Sequence, residues 1–400
     1  IVNATTARGD TKPRDQDDQG FNNQTDLLFS FNTGGIRHDM VTGVELAKYS
    51  YENRRRRDTN GPTTSLYNPA LRVLGSATPV YDGSVYRFET QEVGVYLLDT
   101  MALSDKWELS LGGRYDRVDA KATRRGFTGA NAAANTNHQR EDSEFSYSAG
   151  LVYKLRPDTS LYASYGSAFN ISGTFDRNQV QLAGGGATEA IVGAGFSTPP
   201  EKVRAIEVGA KWDLGSNLDL NVALFRTETS EGRFPAAVAG DVTIPNVGYY
   251  INGFEVLAAG NVSKRWKLYS GYTYLQSKVT SSPTNAFAVG QELGGTPKHS
   301  FNVFTTYDVN SQWTLGGGLQ YVAGQTSGVQ PAATGNLKVS IPSYTVADIY
   351  VTYKFSPKTQ LRLNLYNAFD KRYIQQLAEG GGQGIPGNGR QLIATVRHDF

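Results

Sequence analysis

The segment LRLNLYNAFDKRYI, at residues 361–374, begins with a strict alternation of side chains. Leu361, Leu363 and Leu365 are apolar, whereas Arg362, Asn364 and Tyr366 carry polar groups. A period of two residues is typical of a β-strand that has one apolar and one polar face. The segment alone leaves open whether the apolar face packs on a protein core or on lipid.

The same alternation recurs along most of the chain, in stretches of about ten residues. Clear examples are residues 107–115, 145–153, 218–224 and 313–321. The faces opposite the apolar residues carry mostly Gly, Ser, Thr, Asn and charged side chains. No comparable helical periodicity occurs, so we expect an all-β protein with almost no helix.

Composition narrows the class of protein further. Mean hydropathy is −0.40 and hydrophobic residues make up 39% of the chain, and no stretch approaches the roughly 18 apolar residues that a membrane-spanning helix needs. A transmembrane β-strand needs only about 9–11 alternating residues, which keeps the mean hydropathy low. The net charge of +2 predicts no nucleic-acid partner, and the absence of Cys excludes disulfides and thiol chemistry.

The connections between the alternating segments are short and long in turn. Short links are NTGGIRH, LSDK, LRPDT, LGSN, VSKR, DVNSQ and SPKT. Long links cover residues 52–90, 121–141, 171–199, 232–245, 281–297, 325–341 and 375–388. This order predicts an antiparallel up-and-down transmembrane β-barrel of about 15 strands, with short periplasmic turns and long extracellular loops.

This fold assigns the two faces of the strands. We expect Leu218, Leu220, Val222, Leu315, Leu361 and Leu363 to face lipid, and Asp219, Asn221, Arg362 and Asn364 to face the lumen. The four tryptophans, Trp107, Trp212, Trp266 and Trp313, all lie beside short links. They are therefore expected to form an aromatic girdle at one membrane interface, the alternative being core residues near hairpins.

Several motifs, in order, resemble those of the TonB-dependent outer-membrane receptors. They are PEKVRAIEVGAKWDL, INGFEVLAAGNVSKRWKLYSGYTYLQSKV, GTPKHSFNVFTTYDV, IPSYTVADIYVTYKF, LNLYNAFDKRYI and PGNGRQLIATVRHDF. Within that family, GIRHDMVTGVEL, SLYNP and GSAFN most resemble the catecholate-type ferric siderophore receptors. The terminal aromatic Phe400 resembles the assembly signal of bacterial outer-membrane proteins.

The resemblance implies a 22-stranded barrel around an N-terminal plug, in the outer membrane of a Gram-negative bacterium. It implies uptake of a ferric siderophore, driven by the TonB-ExbB-ExbD system through the plug, with lipid and lipopolysaccharide as surroundings. Iron enters only within the siderophore, and no cofactor is implied. About 15 strands fall short of 22. We therefore expect the C-terminal part of a receptor barrel without plug, with residues 1–22 as an outer-loop remnant and residues 23–400 as the barrel.

Candidate ligand-binding residues lie in the long links. They are Arg54, Arg55, Arg56, Arg57, Tyr67, Tyr81, Tyr86, Phe175, Phe196, Gln375, Gln376, Gln383 and Arg390. Guanidinium groups attract anionic siderophores, and aromatic rings pack against catechols. Alternatively, the arginines lie in a solvated loop or bind lipopolysaccharide phosphates, and the aromatic residues pack within the loops. The glycine-rich final loop is suited to closing over a ligand, or is merely flexible.

The alternatives to a receptor are an enzyme and a passive porin. An enzyme is not expected, because the four histidines, His38, His138, His299 and His398, fall on different strands, and no nucleophile motif occurs. A passive porin of about 16 strands is the main alternative. The strands at 24–31 and 391–400 should run in the same direction, so we expect an open or gapped sheet. A closed, even-numbered barrel would instead favour the porin.

Overall fold

The computed structural model describes residues 6–8, 14–57, 63–65, 80–126, 136–171, 199–215, 217–234, 244–283, 286–327, 339–378 and 383–400. Fifteen strands form one sheet in which each strand pairs with the next in chain order. They are β2 (Arg14–Thr33), β3 (Ile36–Arg57), β5 (Val80–Ala102), β6 (Trp107–Arg125), β7 (Thr136–Arg156), β8 (Thr159–Asn170), β9 (Glu201–Asp213), β10 (Leu218–Phe234), β11 (Ile244–Asn261), β12 (Trp266–Ser281), β13 (His299–Asp308), β14 (Trp313–Val322), β17 (Tyr344–Ser356), β18 (Thr359–Tyr366) and β21 (Gln391–His398). The predicted all-β meander of about 15 strands is confirmed.

The six remaining strands form three small two-stranded sheets. These pair β1 (Thr6–Arg8) with β4 (Thr63–Ser65), β15 (Gln325–Thr326) with β16 (Ser340–Ile341), and β19 (Ile374–Ala378) with β20 (Gln383–Pro386). Helical structure in the described ranges is limited to one 3₁₀ turn at Ala286–Ala288. Within those ranges, no helix is both long enough and apolar enough to cross a membrane.

Several short turns are closed by a side chain that caps the backbone of the next strand. Ser104 Oγ accepts a hydrogen bond from the backbone N–H of Trp107 at 3.2 Å, and Ser263 does the same for Trp266 at 3.2 Å. Asn310 Oδ1 accepts from the N–H of Trp313 at 2.8 Å. Ser and Asn side chains favour this local bonding over regular strand pairing, so they fix where each turn ends.

The strand register confirms the predicted division into two faces. Directly paired residues in a ladder point to the same side of a sheet, and successive residues point to opposite sides. The antiparallel ladders therefore place the apolar residues on one face and the polar ones on the other. The apolar set is Leu218, Leu220, Val222, Leu315, Leu361 and Leu363, and the polar set is Asp219, Asn221, Arg362 and Asn364. The charged face must line the lumen, because ionised groups facing lipid are costly.

All four tryptophans lie on the lipid face at the turn end of the strands, as the girdle prediction required. Trp107 is directly opposite Tyr153, and their ring centroids are 4.5 Å apart. Trp313 is opposite Tyr353, at 4.6 Å. Neither pair is buried in a core, because Trp107 and Trp313 remain 41% and 42% exposed. Aromatic rings at this position are typical of a membrane interface.

The strands extend further outward than the alternating patterns indicated. Residues 14–22, expected in an outer-loop remnant, belong to β2, which begins at Arg14 rather than near Gln24. Similarly, β3 continues to Arg57 and β5 begins at Val80, so both ends of the link predicted at 52–90 are strand. Beyond the membrane both faces of a strand meet water, so the apolar alternation ends while ladder hydrogen bonding continues.

The sheet is open over the described residues, as expected. Its first strand, β2, pairs only with β3, and its last strand, β21, pairs only with β18. The fifteen-stranded order is linear, so it does not form the closed, even-numbered barrel that the porin alternative requires.

Candidate ligand-binding site

An ionic network crosses the lumen face of β2, β3, β5 and β6. At its centre, Arg114 Nη1 lies 2.9 Å from Glu45 Oε2, and Nη2 lies 3.2 Å from Glu92 Oε1. Arg114 Nε also donates to Asp116 Oδ1 at 2.7 Å. Asn22 on β2 donates to Glu45 at 2.8 Å, which ties the first strand to the network. Three carboxylates around one guanidinium give this wall excess negative charge, so this level of the lumen does not favour an anionic ligand.

An aromatic cluster lies on the same lumen face, closer to the outer ends of these strands. Tyr51 pairs with Phe88, and Phe88 pairs with Ala122, so the three share one ladder row. Tyr51 and Tyr86 meet edge to face, with ring centroids 6.0 Å apart. Tyr51 is fully buried and Tyr86 is 5% exposed. Tyr86 therefore follows the alternative of packing against neighbouring aromatic residues, and its side chain is not presented to a ligand.

The arginine run lies at the outer end of β3, not in a loop. Arg55 is the ladder partner of Arg14, Arg56 is that of Tyr81 on β5, and Arg57 is that of Val80. The structure thus brings two predicted site residues, Arg56 and Tyr81, side by side along the backbone.

The side chain of Arg54 has a defined ion-pair partner. Its Nε lies 2.9 Å from Glu52 Oε1, and Arg87 binds the other oxygen of the same carboxylate. Glu52 and Arg54 follow the lipid-facing parity of β3, above the apolar band, so Arg54 points away from the lumen. Tyr67, Phe175 and Phe196 lie outside the described residues.

The final outer hairpin, β19–β20, holds the other predicted residues. Gln375 and Gln376 are exposed on β19, Gln383 opens β20, and Arg390 is exposed just before β21. In the ladder, Gln376 is opposite Ile385 and Gln383 is opposite Ala378. Among the described residues, this hairpin and the arginine run of β3 belong to different sheets, so strand pairing does not bring the two predicted sets together.

Asn367 fixes the base of this hairpin. It has a positive φ of 46° and a nearly buried side chain, 3% exposed. Its Nδ2 donates to the carbonyl oxygens of Lys371 and Asn388, both at 2.9 Å, and its Oδ1 accepts from Lys371 N at 2.8 Å. One amide therefore joins the two chain segments that enter and leave the hairpin.

In the part of the chain that the structure describes, two groups outside the strands have shifted pKa values. Burial raises the pKa of Tyr373, whose ring packs 4.4 Å from that of Tyr344. A hydrogen bond to Glu292 raises the pKa of Lys298, with Nζ 2.6 Å from the carboxylate. Both shifts keep the groups in their neutral-pH forms, phenol and ammonium, so neither titrates in the physiological range.

A second lumen cluster joins β8 and β9 and was not predicted from the sequence. Tyr162 Oη donates to Glu207 Oε1 at 2.6 Å, and Lys211 Nζ lies 5.3 Å from the centre of the Tyr162 ring. Glu207, Gly209 and Lys211 alternate with lipid-facing residues in the motif AIEVGAK. That alternation predicts which side chains of β9 face the lumen. The contact with Tyr162 could not be predicted in the same way, because it depends on the register between β8 and β9.

A cleft of about 840 Å³ lies at the opposite end of the wall. Its lining includes Lys106, Asp158 and Lys211 at or near the short turns. Because the predicted ligand residues are at the outer ends of the strands, this cleft does not belong to the candidate site.

Comparison with known proteins defines the class of protein. Residues 2–368 match the family model described as TonB dependent receptor-like, beta-barrel. The chain belongs to the TonB-dependent receptor family of outer-membrane β-barrel proteins of Gram-negative bacteria.

Particular relatives are receptors, not enzymes. The chain is 32% identical to the probable TonB-dependent receptor BfrD of Bordetella pertussis, over 96% of this chain and 53% of BfrD. It is 27% identical to the probable TonB-dependent siderophore receptor PiuA of Acinetobacter baumannii, over 96% of this chain and 53% of PiuA. It is 26% identical to the catecholate siderophore receptor Fiu of Escherichia coli, over all of this chain and 53% of Fiu. The chain thus spans about half the length of these relatives.

Solved structures share the fold. The closed form of the ferric-catecholate import receptor Fiu from E. coli superposes with a TM-score of 0.82 at 24% identity, over 97% of this chain and 55% of that one. PiuA from A. baumannii gives a TM-score of 0.80 at 24% identity, over 98% and 57% of the two chains.

Proposed function

We propose that this chain forms wall strands of an outer-membrane receptor that takes up a ferric siderophore, most specifically one of the catecholate type. The observation that carries the proposal is the match of nearly the whole chain to relatives named as siderophore receptors, PiuA and Fiu. The order of the receptor motifs in the sequence supports the same function.

The charge distribution supports ligand capture at the outer rim. Deeper in the lumen, the carboxylates around Arg114 disfavour an anion. At the outer end of β3 the arginine run, residues 54–57, offers the opposite charge. Arg55, Arg56 and Arg57 are the proposed contacts, because Arg54 points away from the lumen and pairs with Glu52. Arginine forms strong, charge-assisted hydrogen bonds to anionic oxygens. The aromatic cluster of β3, β5 and β6 holds these strand ends together.

The glutamine-bearing hairpin is the second half of the proposed site. Asn367 fixes the base of the hairpin, and Gln376 is exposed on its first strand, β19. A hairpin with a rigid base and exposed polar groups suits a loop that closes over ligand. Phe175, Phe196, Tyr67, Tyr81, Gln383 and Arg390 remain proposed contacts. Energy for uptake is proposed to come from TonB-ExbB-ExbD acting through a plug domain.

The test measures ligand affinity of the full-length receptor in detergent. A ferric catecholate complex should bind at least tenfold more tightly than a ferric hydroxamate. Replacing Arg54, Arg55, Arg56 and Arg57 by Ser should weaken catecholate binding, and the loss should be larger at 10 mM than at 300 mM salt, because salt screens exposed charges.

The matched control removes four exposed cations from the short turns. Lys106→Ser, Lys264→Ser, Arg265→Ser and Lys358→Ser make the same charge change at the other end of the wall. Affinity should stay within about twofold, a difference of roughly 0.4 kcal/mol. Equal losses in both variants would remove the arginine run from the site, and preference for the hydroxamate would overturn the catecholate class.

A further inference from the structure

The lumen face of β12–β14, β17 and β18 carries cations close to the short turns. Asn364 faces the lumen, and the ladder row that runs through it across the neighbouring strands reaches Lys267 on β12. The next row toward the turns contains Arg362, and the row after it contains Lys354. We define Lys267, Lys354 and Arg362 as the turn-side cationic group.

The turn-side cationic group is not neutralised by neighbouring carboxylates. Among the described side chains, its three members are exposed and have no carboxylate oxygen within 4.0 Å. Asp308 lies in the ladder row of Arg362, but β14 and β17 separate the two residues. Oδ1 of Asp308 accepts a hydrogen bond from the hydroxyl of Thr314 at 2.6 Å. The group therefore presents positive charge to the lumen.

Cations at a similar distance from the turns on other parts of the lumen face have partners. These cations are Arg37 on β3, Lys154 on β7 and Lys211 on β9. Arg37 lies 2.9 Å from Asp39, and Lys154 lies 3.3 Å from Glu108. Lys211 lies over an aromatic ring. Free positive charge close to the turns is therefore a local property of the β12–β18 side.

Aromatic rings lie on the same lumen face, further from the turns than most of these cations. Tyr269 and Phe304 are ladder partners with ring centroids 6.3 Å apart. Tyr350 meets Phe304 edge to face at 5.0 Å and Tyr366 at 6.0 Å. The ring of Tyr269 is open to the lumen, because this residue is 49% exposed. Asp348 lies beside the rings, and the hydroxyl of Tyr350 donates a hydrogen bond to it at 3.2 Å.

The two sides of the described lumen wall therefore differ in what they favour. On the β2–β6 side, the three carboxylates around Arg114 leave excess negative charge, which repels an anion. On the β12–β18 side, aromatic rings are followed toward the turns by free cations. An anion that carries aromatic rings finds complementary groups only on the second of these two sides.

We propose that the lumen face of β12–β18 is the wall along which an anionic ferric catecholate moves toward the periplasm. The rings of Tyr269 and Phe304 contact the catechol rings, and the turn-side cationic group binds the anionic oxygens. This inference rests on the proposed siderophore function. It adds a second contact region, at the end of the strands opposite to the arginine run of β3.

The experiment measures uptake of radioactive iron by cells that produce the full-length receptor and no other catecholate receptor. The probe is the ferric complex of a synthetic hexadentate tris-catechol ligand. The variant Lys267→Gln, Lys354→Gln, Arg362→Gln should lower the maximal uptake rate at least fivefold. Its affinity for the complex at the cell surface should stay within twofold of wild type, because the outer site is unchanged.

Two further variants separate charge from packing and from position. Lys267→Arg, Lys354→Arg, Arg362→Lys keeps every charge and should take up iron within twofold of the wild-type rate. The matched control Arg37→Gln, Lys154→Gln, Lys211→Gln removes three lumen-facing cations at a similar distance from the turns. It should also stay within twofold, and a loss equal to that of the turn-side variant would overturn the proposal.

The outcomes distinguish this inference from the siderophore function on which it rests. A wild-type receptor that neither binds nor takes up the complex would overturn both. Normal wild-type uptake with an unchanged rate in the turn-side variant would overturn only the passage wall.

The remaining occupant of this wall is the plug domain. If the turn-side variant admits a large glycopeptide antibiotic while iron uptake stays unchanged, the three cations hold the plug and the proposal is wrong. If the triple variant does not reach the outer membrane, the exposed single change Lys354→Gln should still slow uptake two- to threefold. An unchanged rate in that single variant would overturn the proposal.

Discussion

At the scale of single residues, the fit between Tyr162 and Gly209 in the lumen predicts a specific packing effect. A Cβ at position 209 would lie 2.6 Å from ring atoms of Tyr162, whose Oη donates to Glu207. Gly209→Ala should displace the ring and break that hydrogen bond, with a cost of about 1–3 kcal/mol in unfolding free energy. Thermal unfolding in detergent should show a lower midpoint than wild type.

A second glycine on the same face gives the control for this effect. At Gly150 on β7 the nearest atom to a new Cβ is Ser110 Cβ at 3.9 Å, so Gly150→Ala should leave the midpoint nearly unchanged. Adding Tyr162→Ala to Gly209→Ala should recover part of the steric cost. If both glycine variants unfold like wild type, the ring does not occupy the space above Gly209.

Asn367 supports a prediction about the final hairpin. Asn367→Ala removes three hydrogen bonds at a nearly buried position, and each unmet buried group costs about 1–3 kcal/mol. Limited proteolysis should therefore cut residues 374–386 faster than in wild type. Asn388→Ala is the control, because Asn388 contributes only its backbone carbonyl to the contact. Equal cutting of the two variants would contradict the role of the Asn367 amide.

The sequence patterns predicted which side of the sheet a residue faces better than they predicted which residue it contacts. The alternation of Leu218, Leu220 and Val222 with polar residues sufficed to assign their side of the sheet, since period two fixes direction within a strand. It could not show that Arg114 meets Glu45 or that Tyr86 packs on Tyr51, because these contacts join different strands. Cross-strand contacts depend on register, which alternation within one strand does not define.

At the scale of elements, the girdle makes a prediction that uses the tryptophans as their own probes. In versions of the full-length protein that retain one of Trp107, Trp212, Trp266 or Trp313, bilayer lipids brominated near the head group should quench fluorescence most. Lipids brominated near the chain ends should quench less, because the rings lie at the interface and not at the bilayer centre. Strongest quenching from the chain ends would place these residues elsewhere in the membrane.

The sequence patterns predicted the positions of the short turns but not the full lengths of the strands. The turns were located correctly, because residues such as Ser104 and Asn310 cap the following strand. The predicted outer ends of β2 and β3 lie too close to the short turn that joins these strands. The apolar face disappears once both sides of a strand are hydrated, so the pattern stops before the strand does. For the same reason the arginine run was assigned to a loop instead of a ladder. Hydrogen bonding between strands continues there without a hydropathy signal.

At the scale of the whole molecule, the direction of the strands limits how the sheet can close. Fifteen strands in linear antiparallel order make fourteen reversals, so β2 and β21 run in the same direction. Neighbours in an up-and-down barrel are antiparallel, and unpaired edge groups within the bilayer cost several kcal/mol each, roughly. We therefore expect an odd number of further strands between these two edges in the assembled barrel.

Disulfide trapping in a cysteine-free full-length receptor measures whether the edges meet. This chain contains no native Cys that would compete. Leu363→Cys with Ala394→Cys joins ladder partners on β18 and β21 and should crosslink under mild oxidation. The pair Thr25→Cys and Ala394→Cys lies on the same lipid-facing side of β2 and β21. It should stay reduced, because each intervening strand adds about 4.8 Å and the distance between the two residues then exceeds that of a disulfide. An efficient Thr25–Ala394 crosslink would mean that the two edges pair directly in parallel, and the expectation of intervening strands would be wrong.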